Sequence, residues 1–505
     1  MGRAVEAGDW GWRWAGRSAW AARGLSFALD EGERVLLLGP SGAGKSTLLA
    51  ALAGVLGGAD EGEECGSLLV AGRHPTRMRG AVGLVMQDPD SQVICQRIGD
   101  DVAFGCENLG MARADIWPAV RAALEAVDLR LPLDRSTGAL SGGQKQRLAI
   151  AGALAMQSAG PDGPRLLCLD EPTANLDPAG VAQVRGAVEA AVADRRTGLV
   201  VVEHRVEVWS GLVDRVIALA PGGGVLADGT PDEVFAARRR ELTDAGAWVP
   251  GAEPDVRSRP AAPSDGAAAP ILAGRGLAIG HRADRPVLTG LEVAVPAGRS
   301  TAVVGPNGAG KTTLVLTLAG LLAPLGGRVE AAESLRPGHG GLLPRALRRR
   351  FDPADPATWA SRDLLTRIGV VFQDPEHQFV AASVRAELGV GLRALGRGAA
   401  RVRDEVDALL ERLHLGGVAD ANPFTLSGGE KRRLSVGTVL ATGPALIVLD
   451  EPTFGQDRST WTDLVRLVQS ILDEGRTIVS VTHDEAYLRV LGESLLPLGP
   501  AGEES

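Results

Sequence analysis

The 505-residue sequence predicts an α/β protein made of two tandem domains, each built on a parallel sheet. Three observations predict it. Two glycine-rich loops sit between a short apolar run and a helical start, Gly39-Pro40-Ser41-Gly42-Ala43-Gly44-Lys45-Ser46-Thr47 and Gly305-Pro306-Asn307-Gly308-Ala309-Gly310-Lys311-Thr312-Thr313. Two wholly apolar runs, Leu166–Leu169 and Leu446–Leu449, end in Asp-Glu. Between loop and run, each half carries a further match, LSGGQKQR at 140–147 and LSGGEKRR at 426–433. Motifs that recur in one order mark an internal repeat.

The first element is a strand at Arg34–Leu38, opening on a charge and then apolar. It feeds the glycine-rich loop and the apolar helical start Leu48–Leu52. Strand, G-x-x-x-x-G-K-[ST] and helix together form a phosphate-binding loop. Its glycines let backbone N–H groups wrap phosphates at a helix N-terminus. Lys45 supplies a cation and Ser46 a Mg²⁺ ligand; Lys311 and Thr312 repeat the pair. The apolar runs before Asp170-Glu171 and Asp450-Glu451 predict strands covered on both faces. Ligands gather at the C-terminal ends of such strands. Asp170 and Asp450 are expected to hold Mg²⁺. Glu171 and Glu451, one residue on, are expected to polarise an attacking water.

Composition narrows the class. Hydrophobic residues make up 45% and charged residues 23%, as in a soluble globular protein. The net charge of −9 disfavours bulk nucleic-acid binding. No run reaches the roughly eighteen apolar residues of a membrane span. Cys65, Cys95, Cys106 and Cys168 form no Cys-x-x-Cys pair, which fits a reducing cytosol. Of 53 Lys+Arg only Lys45, Lys145, Lys311 and Lys431 are lysine, and all four lie in the repeated motifs. Residues 250–270, rich in Pro, Ala, Gly and Ser, read as a linker between domains at 1–249 and 271–505. An insertion at 333–361, with Arg345, Arg348, Arg349 and Arg350, reads as a solvated surface loop.

The LSGGQ-type segments give the chain a resemblance to ABC-type ATPases across nearly its whole length. That resemblance implies two cassettes, each with a RecA-like parallel-sheet core, an antiparallel β subdomain and a helical signature subdomain. It implies that Ser141, Gly142 and Gly143, and likewise Ser427, Gly428 and Gly429, cap the γ-phosphate held by the opposite half, so that one chain forms a pseudo-dimer with two Mg²⁺-ATP. Gln87 and Gln373 match the family's Q-loop, which senses γ-phosphate and Mg²⁺. His204 and His483, after the apolar runs Leu199–Val202 and Ile478–Val481, match its switch histidine. The family stacks adenine on an aromatic residue upstream of the lysine. Trp14 and His281 stand there, both departures from its usual tyrosine, with Trp12 and Trp20 as competitors in the first half.

A narrower resemblance lies after the Q-loop. Asp101-Val102-Ala103-Phe104-Gly105-Cys106-Glu107-Asn108-Leu109-Gly110 looks like the matching segment of energy-coupling-factor ATPases, which drive vitamin and metal-ion uptake. That subgroup implies a peripheral protein on the cytoplasmic side of the membrane, working with a membrane T component and a substrate-binding S component. No nucleic-acid partner is expected. Asp100, Asp101 and Glu107 are acidic counterparts for arginines on the T component's coupling helices. The second copy, around Ser383–Gly391, carries the pattern more weakly. The alternatives are another ABC importer, or a soluble tandem ABC ATPase acting on ribosomes or nucleic acid. Intact motifs in both halves and a short Pro/Ala-rich linker disfavour them.

Overall fold

The computed structural model describes residues 2–58, 60–159, 165–174, 176–259, 269–338 and 351–499. It divides into two compact units, Met1–Glu253 with Gly455–Ser459, and Pro254–Phe454 with Thr460–Ser505.

In the first unit, β1 (Arg3–Trp14), β2 (Ala22–Asp30) and β4 (Gly62–Val70) form an antiparallel sheet in the order β2-β1-β4. The main sheet has the order β5-β6-β7-β3-β8-β9, from β3 (Arg34–Leu38), β5 (Val82–Val85), β6 (Arg165–Asp170), β7 (Thr197–Val202), β8 (Arg215–Leu219) and β9 (Val225–Gly229). Its first five strands are parallel, and only β9 runs antiparallel. Every residue of β7 is buried, as a strand covered on both faces requires. The helices Ile98–Asn108, Arg113–Ala126 and Gly142–Ala159 contribute Val102, Val120 and Ile150 to one core with Leu167, Leu199 and Val201 of the sheet. Trp10, Trp12 and Leu25 fill a second core beneath the antiparallel sheet with Leu48 and Leu49.

The second unit repeats the plan. The antiparallel sheet has the order β11-β10-β13, from β10 (Pro270–Ile279), β11 (Leu288–Pro296) and β13 (Gly326–Ala331). The main sheet has the order β14-β15-β16-β12-β17, all parallel, from β12 (Ser300–Val304), β14 (Ile368–Val371), β15 (Leu446–Asp450), β16 (Thr477–Val481) and β17 (Ser494–Pro497). The expected α/β architecture, parallel core, antiparallel sheet and helices, is therefore present in both halves.

The insertion departs from a solvated loop at its ends. Leu335 and Trp359 are buried in the second unit's core, and Pro356 packs against Gly320. Burial of two large apolar side chains outweighs the polar composition between them. Arg345, Arg348, Arg349 and Arg350 lie outside the described residues, as does 260–268 of the linker.

Candidate active site

Register places the motifs together. Leu37 of β3 pairs with Val202 of β7, and Asp170 of β6 pairs with the same valine. Three strands therefore end at one edge, and the phosphate-binding loop, Asp170-Glu171 and His204 all follow from it. In the second unit Val303 and Asp450 both pair with Val481, to the same effect.

The loop requires its glycines. Gly44 has φ 88°, and a Cβ there would stand 2.5 Å from the Ala21 carbonyl oxygen. Gly310, also at φ 88°, would meet Val287 at 2.9 Å. Each glycine precedes an eight-residue helix, Lys45–Leu52 or Lys311–Leu318, whose start has no side-chain cap. Uncapped first-turn N–H groups are what an anion needs. Lys45 is 8% exposed, and its Nζ donates to the carbonyls of Gly39 at 2.8 Å and Pro40 at 3.0 Å. Burial lowers its pKa, and the Glu171 carboxylate opposes that shift. Lys311 makes the same bonds to Gly305 and Pro306 at 2.8 and 2.9 Å. Ser41, Gly42 and Ser46 are exposed, as are Asn307, Gly308 and Thr312. Thr47 is half-buried and Thr313 buried, so Thr313 faces the core more than the loop.

Each glutamate of the Asp-Glu pairs stands in left-handed backbone, Glu171 at φ 46° and Glu451 at φ 45°. A non-glycine residue there costs about 1–3 kcal/mol and persists only when surroundings hold it. The holding bonds are Glu171 N to Val202 O and Glu451 N to Val481 O, both 2.9 Å. They tie each glutamate to the end of the strand that precedes His204 or His483. Gln87 Nε2 donates to Glu171 Oε2 at 2.8 Å, and His204 Nε2 lies 3.2 Å from Oε1. In the second half His483 Nε2 lies 3.8 Å from Glu451 Oε1 and 3.1 Å from Asn307 Oδ1. Burial, reinforced by Asp450, pushes the Glu451 pKa up to about 7.

The residues fit Mg²⁺. Burial raises the pKa of Asp170, against a hydrogen bond from Ser46. Asp450 is raised likewise, against a hydrogen bond from Thr312, whose Oγ1 donates to Oδ2 at 2.9 Å. Its other oxygen, Oδ1, is buried with no partner among the described residues. A buried carboxylate oxygen lacking a donor is suited to a cation or its water shell.

The signature serines are helix caps. Gln144 N donates to Ser141 Oγ at 3.3 Å, and Ser141 N to Gln144 Oε1 at 3.0 Å. Ser427 and Glu430 form the same reciprocal box. The polar residue directly after the glycine pair, three past the serine, is thus fixed by capping. A Cβ would meet open space at Gly428 and ordinary contact with Leu176 at Gly142 and Gly143, whereas at Gly429 it would run into Thr460 at 2.6 Å. Just downstream, Lys145 pairs with Asp90, and Lys431 Nζ with Glu376 Oε1 at 2.6 Å. Two of the four lysines therefore tie a signature helix to the turn after a Q-loop.

Among the candidate aromatics, Trp12 is buried and Trp20 lies between Arg13 and Arg23 at 5.3 and 5.8 Å. Trp14 is 39% exposed, edge-on to Trp12 at 5.9 Å. It lies on the hairpin whose far side, Ala21 and Ala22, packs on Gly44. His281 is exposed just past β10, and Val287 N donates to Ile279 O there at 2.7 Å.

Several residues escaped the sequence reading. Gln92 spans the Q-loop turn, accepting from Met86 N at 2.7 Å and donating to Leu84 O at 3.1 Å; Gln378 repeats this. Arg432, buried, donates to the carbonyls of Phe372 and Gln373 at 2.9 and 2.7 Å. Desolvation lowers its pKa to about 10. The repeated glutamine in VMQDPDSQ and VFQDPEHQ was a signal for the first pair; nothing in the sequence flagged Arg432. One oxygen of Asp101 is engaged within the chain: its Oδ1 accepts from Ile94 N and Cys95 N, both at 2.8 Å. Glu387 does the same for Val380 N and Ala381 N at 2.9 and 2.6 Å. The two acids are structural equivalents. Asp100 and Glu107 remain exposed.

Comparison with known proteins agrees with this geometry. The family model described as ABC transporter matches residues 22–174 and 288–454. A Bacillus subtilis (strain 168) protein, YkoD, provisionally named an HMP/thiamine import ATP-binding protein, is 32% identical over 95% of this chain and 86% of its own length. A Streptomyces avermitilis protein, provisionally named an ABC transporter ATP-binding protein, is 33% identical over 95% of this chain and 89% of its own. Among solved structures, the archaeal ribosome recycling factor aABCE1, in complex with ribosomal stalk protein aP1, aligns with a TM-score of 0.60 and 20% identity over 97% of this chain and 87% of that one. That last likeness is one of fold alone. The chain belongs to the ABC transporter family, as an ATP-hydrolysing protein with two of its cassettes fused in one polypeptide.

Proposed function

We propose that this chain is the ATPase subunit of an energy-coupling-factor-type importer, driving uptake of a vitamin, vitamin precursor or transition-metal ion. The observation that carries this reading is the near full-length similarity to a protein named for HMP/thiamine import. Both halves keep a base, a switch histidine and a phosphate-binding lysine, which suits a chain that must do the work of two subunits. Among the described residues no helix is long and apolar enough to cross a membrane, so a separate membrane component must carry the substrate. The chain then sits peripherally on the cytoplasmic side, against a T component that works with a substrate-binding S component.

The docking surface proposed is the region after each Q-loop. In the first half Ile94 is 62% exposed beside exposed Asp100 and Glu107; in the second Val380 is 76% exposed beside exposed Phe424. Apolar side chains rimmed by charge suit an amphipathic coupling helix.

Each half binds one ATP. Lys45 and Lys311, with the loop amides, hold the phosphates; Trp14 and His281 flank the base. Mg²⁺, held by Ser46, Gln87 and Asp170 or by Thr312, Gln373 and Asp450, neutralises phosphate charge when bound. Glu171 and Glu451 accept the proton of the attacking water, while His204 and His483 keep γ-phosphate and base in line. The signature residues Ser141, Gly142 and Gly143, and Ser427, Gly428 and Gly429, complete the nucleotide contacts as the family motif implies.

The test is affinity purification of the full chain from detergent-solubilised membranes, comparing wild type with Asp100→Ala/Glu107→Ala. Recovery of a membrane T component, reduced by the double variant, supports the reading. Sedimentation with ribosomes and no membrane partner contradicts it.

A further inference from the structure

The two halves anchor their switch histidines with carboxylates on opposite sides of the histidine. In the first half the sequence runs Glu203-His204-Arg205; in the second it runs Thr482-His483-Asp484. Glu203 is 4% exposed. Its Oε1 accepts from Thr173 N at 3.0 Å and from Thr173 Oγ1. Its Oε2 accepts from His204 N at 2.9 Å and Arg205 N at 3.2 Å. Asp484 Oδ2 accepts from Thr453 Oγ1 at 2.7 Å and Trp461 Nε1 at 2.6 Å. Its Oδ1 caps the helix Glu485–Leu491, accepting from Ala486 N at 2.9 Å and Tyr487 N at 3.1 Å.

Thr173 and Thr453 are the same residue of the repeat, the threonine of Glu-Pro-Thr after each catalytic glutamate. Both carboxylates therefore make one link: they fasten the loop bearing the base to the loop bearing the histidine. The longer glutamate reaches the threonine from before the histidine, and the shorter aspartate reaches it from after. The other position is filled in keeping. Thr482 Oγ1 accepts from Asp484 N at 3.0 Å, and Arg205 starts the helix Val206–Trp209 with no side-chain cap.

We infer that Glu203 and Asp484 are equivalent positioning residues, each setting its switch histidine relative to its catalytic glutamate. Each acts through the clamp on threonine. Charged hydrogen bonds in a dry site hold geometry tightly. A misplacement of about 1 Å near the reacting atoms costs up to about 100-fold in rate.

The experiment transplants the second arrangement into the first half of the full chain in a Glu451→Gln background, so that turnover reports the first site and the otherwise unaltered background serves as wild type. Glu203→Thr removes the clamp. Glu203→Thr/Arg205→Asp rebuilds it from the other side, with an aspartate able to cap Val206–Trp209. ATPase kcat, KM for ATP and Tm are measured for both. The expected result is a fall in kcat of about 10-fold or more for Glu203→Thr, with KM within about twofold, and recovery of kcat to within about threefold in the transplant. A purely structural role would follow Tm and leave kcat of the folded fraction unchanged. If Glu203→Thr does not fold, the transplant is read directly against wild type: near-wild-type kcat supports the inference, and an unfolded or slow transplant overturns it. Wild-type kcat in Glu203→Thr, or a transplant as slow as the single variant, also overturns it.

Discussion

In the first half Glu171 is gripped at both oxygens: Gln87 donates to one at 2.8 Å and His204 approaches the other at 3.2 Å. In the second half the histidine has turned toward the loop, 3.1 Å from Asn307 Oδ1 and 3.8 Å from Glu451, and burial lifts Glu451 to about 7. Ser41 occupies the first-half position of Asn307, and a serine hydroxyl reaches less far than an asparagine amide. Behind the Q-loops the halves differ again. Buried Arg432 holds two Q-loop carbonyls, where the first half has Gln146, buried with Nε2 unpartnered among the described residues. The loop lysine, the Asp-Glu pair, the Q-loop glutamine and the histidine recur in both halves. Their geometry is set by neighbours that differ, Ser41 against Asn307 and Gln146 against Arg432, so the shared residues do not make equal sites.

The largest effect that tests this comparison is on the bases. Glu171→Gln with Glu451→Gln should reduce phosphate release about 10²- to 10⁴-fold while ATP binding persists. The two single variants should reduce it unequally, and equal single effects would remove the functional meaning of the asymmetry. Next is the clamp behind the second Q-loop. Arg432→Met should cost about 1.5–3 kcal/mol in urea denaturation, because the charged bonds to the Phe372 and Gln373 carbonyls are lost. Gln146→Leu should be near neutral, since it removes an amide nitrogen already without a partner. A comparable loss from both would refute the contrast.

Smaller still are the paired loop acids. Asp101→Ala and Glu387→Ala should each cost about 1–3 kcal/mol by stranding two amides. Asp100→Ala and Glu107→Ala should stay within about 0.5 kcal/mol in the same denaturation series. Near-equal losses at Asp101 and Asp100 would mean that Asp101 is not the inward acceptor. The smallest effect is at Asn307→Ser, which gives the second loop the first loop's residue. Losing one hydrogen bond of about 0.5–1.5 kcal/mol should change kcat about 2- to 10-fold. An unchanged kcat would show that the Asn307–His483 contact does not tune the site.

The loops, the strands and the place of Glu171 and Glu451 at strand ends were legible because phosphate chemistry fixes both residue type and spacing. Glycine must stand at φ 88° before each lysine, and an Asp-Glu pair must follow a strand buried on both faces. Glu203 and Asp484 were not legible, since one precedes the histidine and the other follows it; only the shared threonine reveals the match. The inward bonds of Asp101 were not legible for a related reason. An acid in a helix's first turn reads as exposed charge, yet its side chain folds back onto the preceding loop. Leu335 and Trp359 were apolar signals within the insertion, hidden by the arginine-rich stretch between them.

The measurement that bears most directly on the account is the number of ATP molecules bound per chain. Equilibrium dialysis of the Glu171→Gln/Glu451→Gln protein with Mg²⁺ and labelled ATP reads it without turnover. Two complete half-sites predict a stoichiometry of two, falling to one in the added presence of Lys45→Ala or of Lys311→Ala. A stoichiometry of one before either lysine is changed would contradict the claim that both halves are working ATP sites.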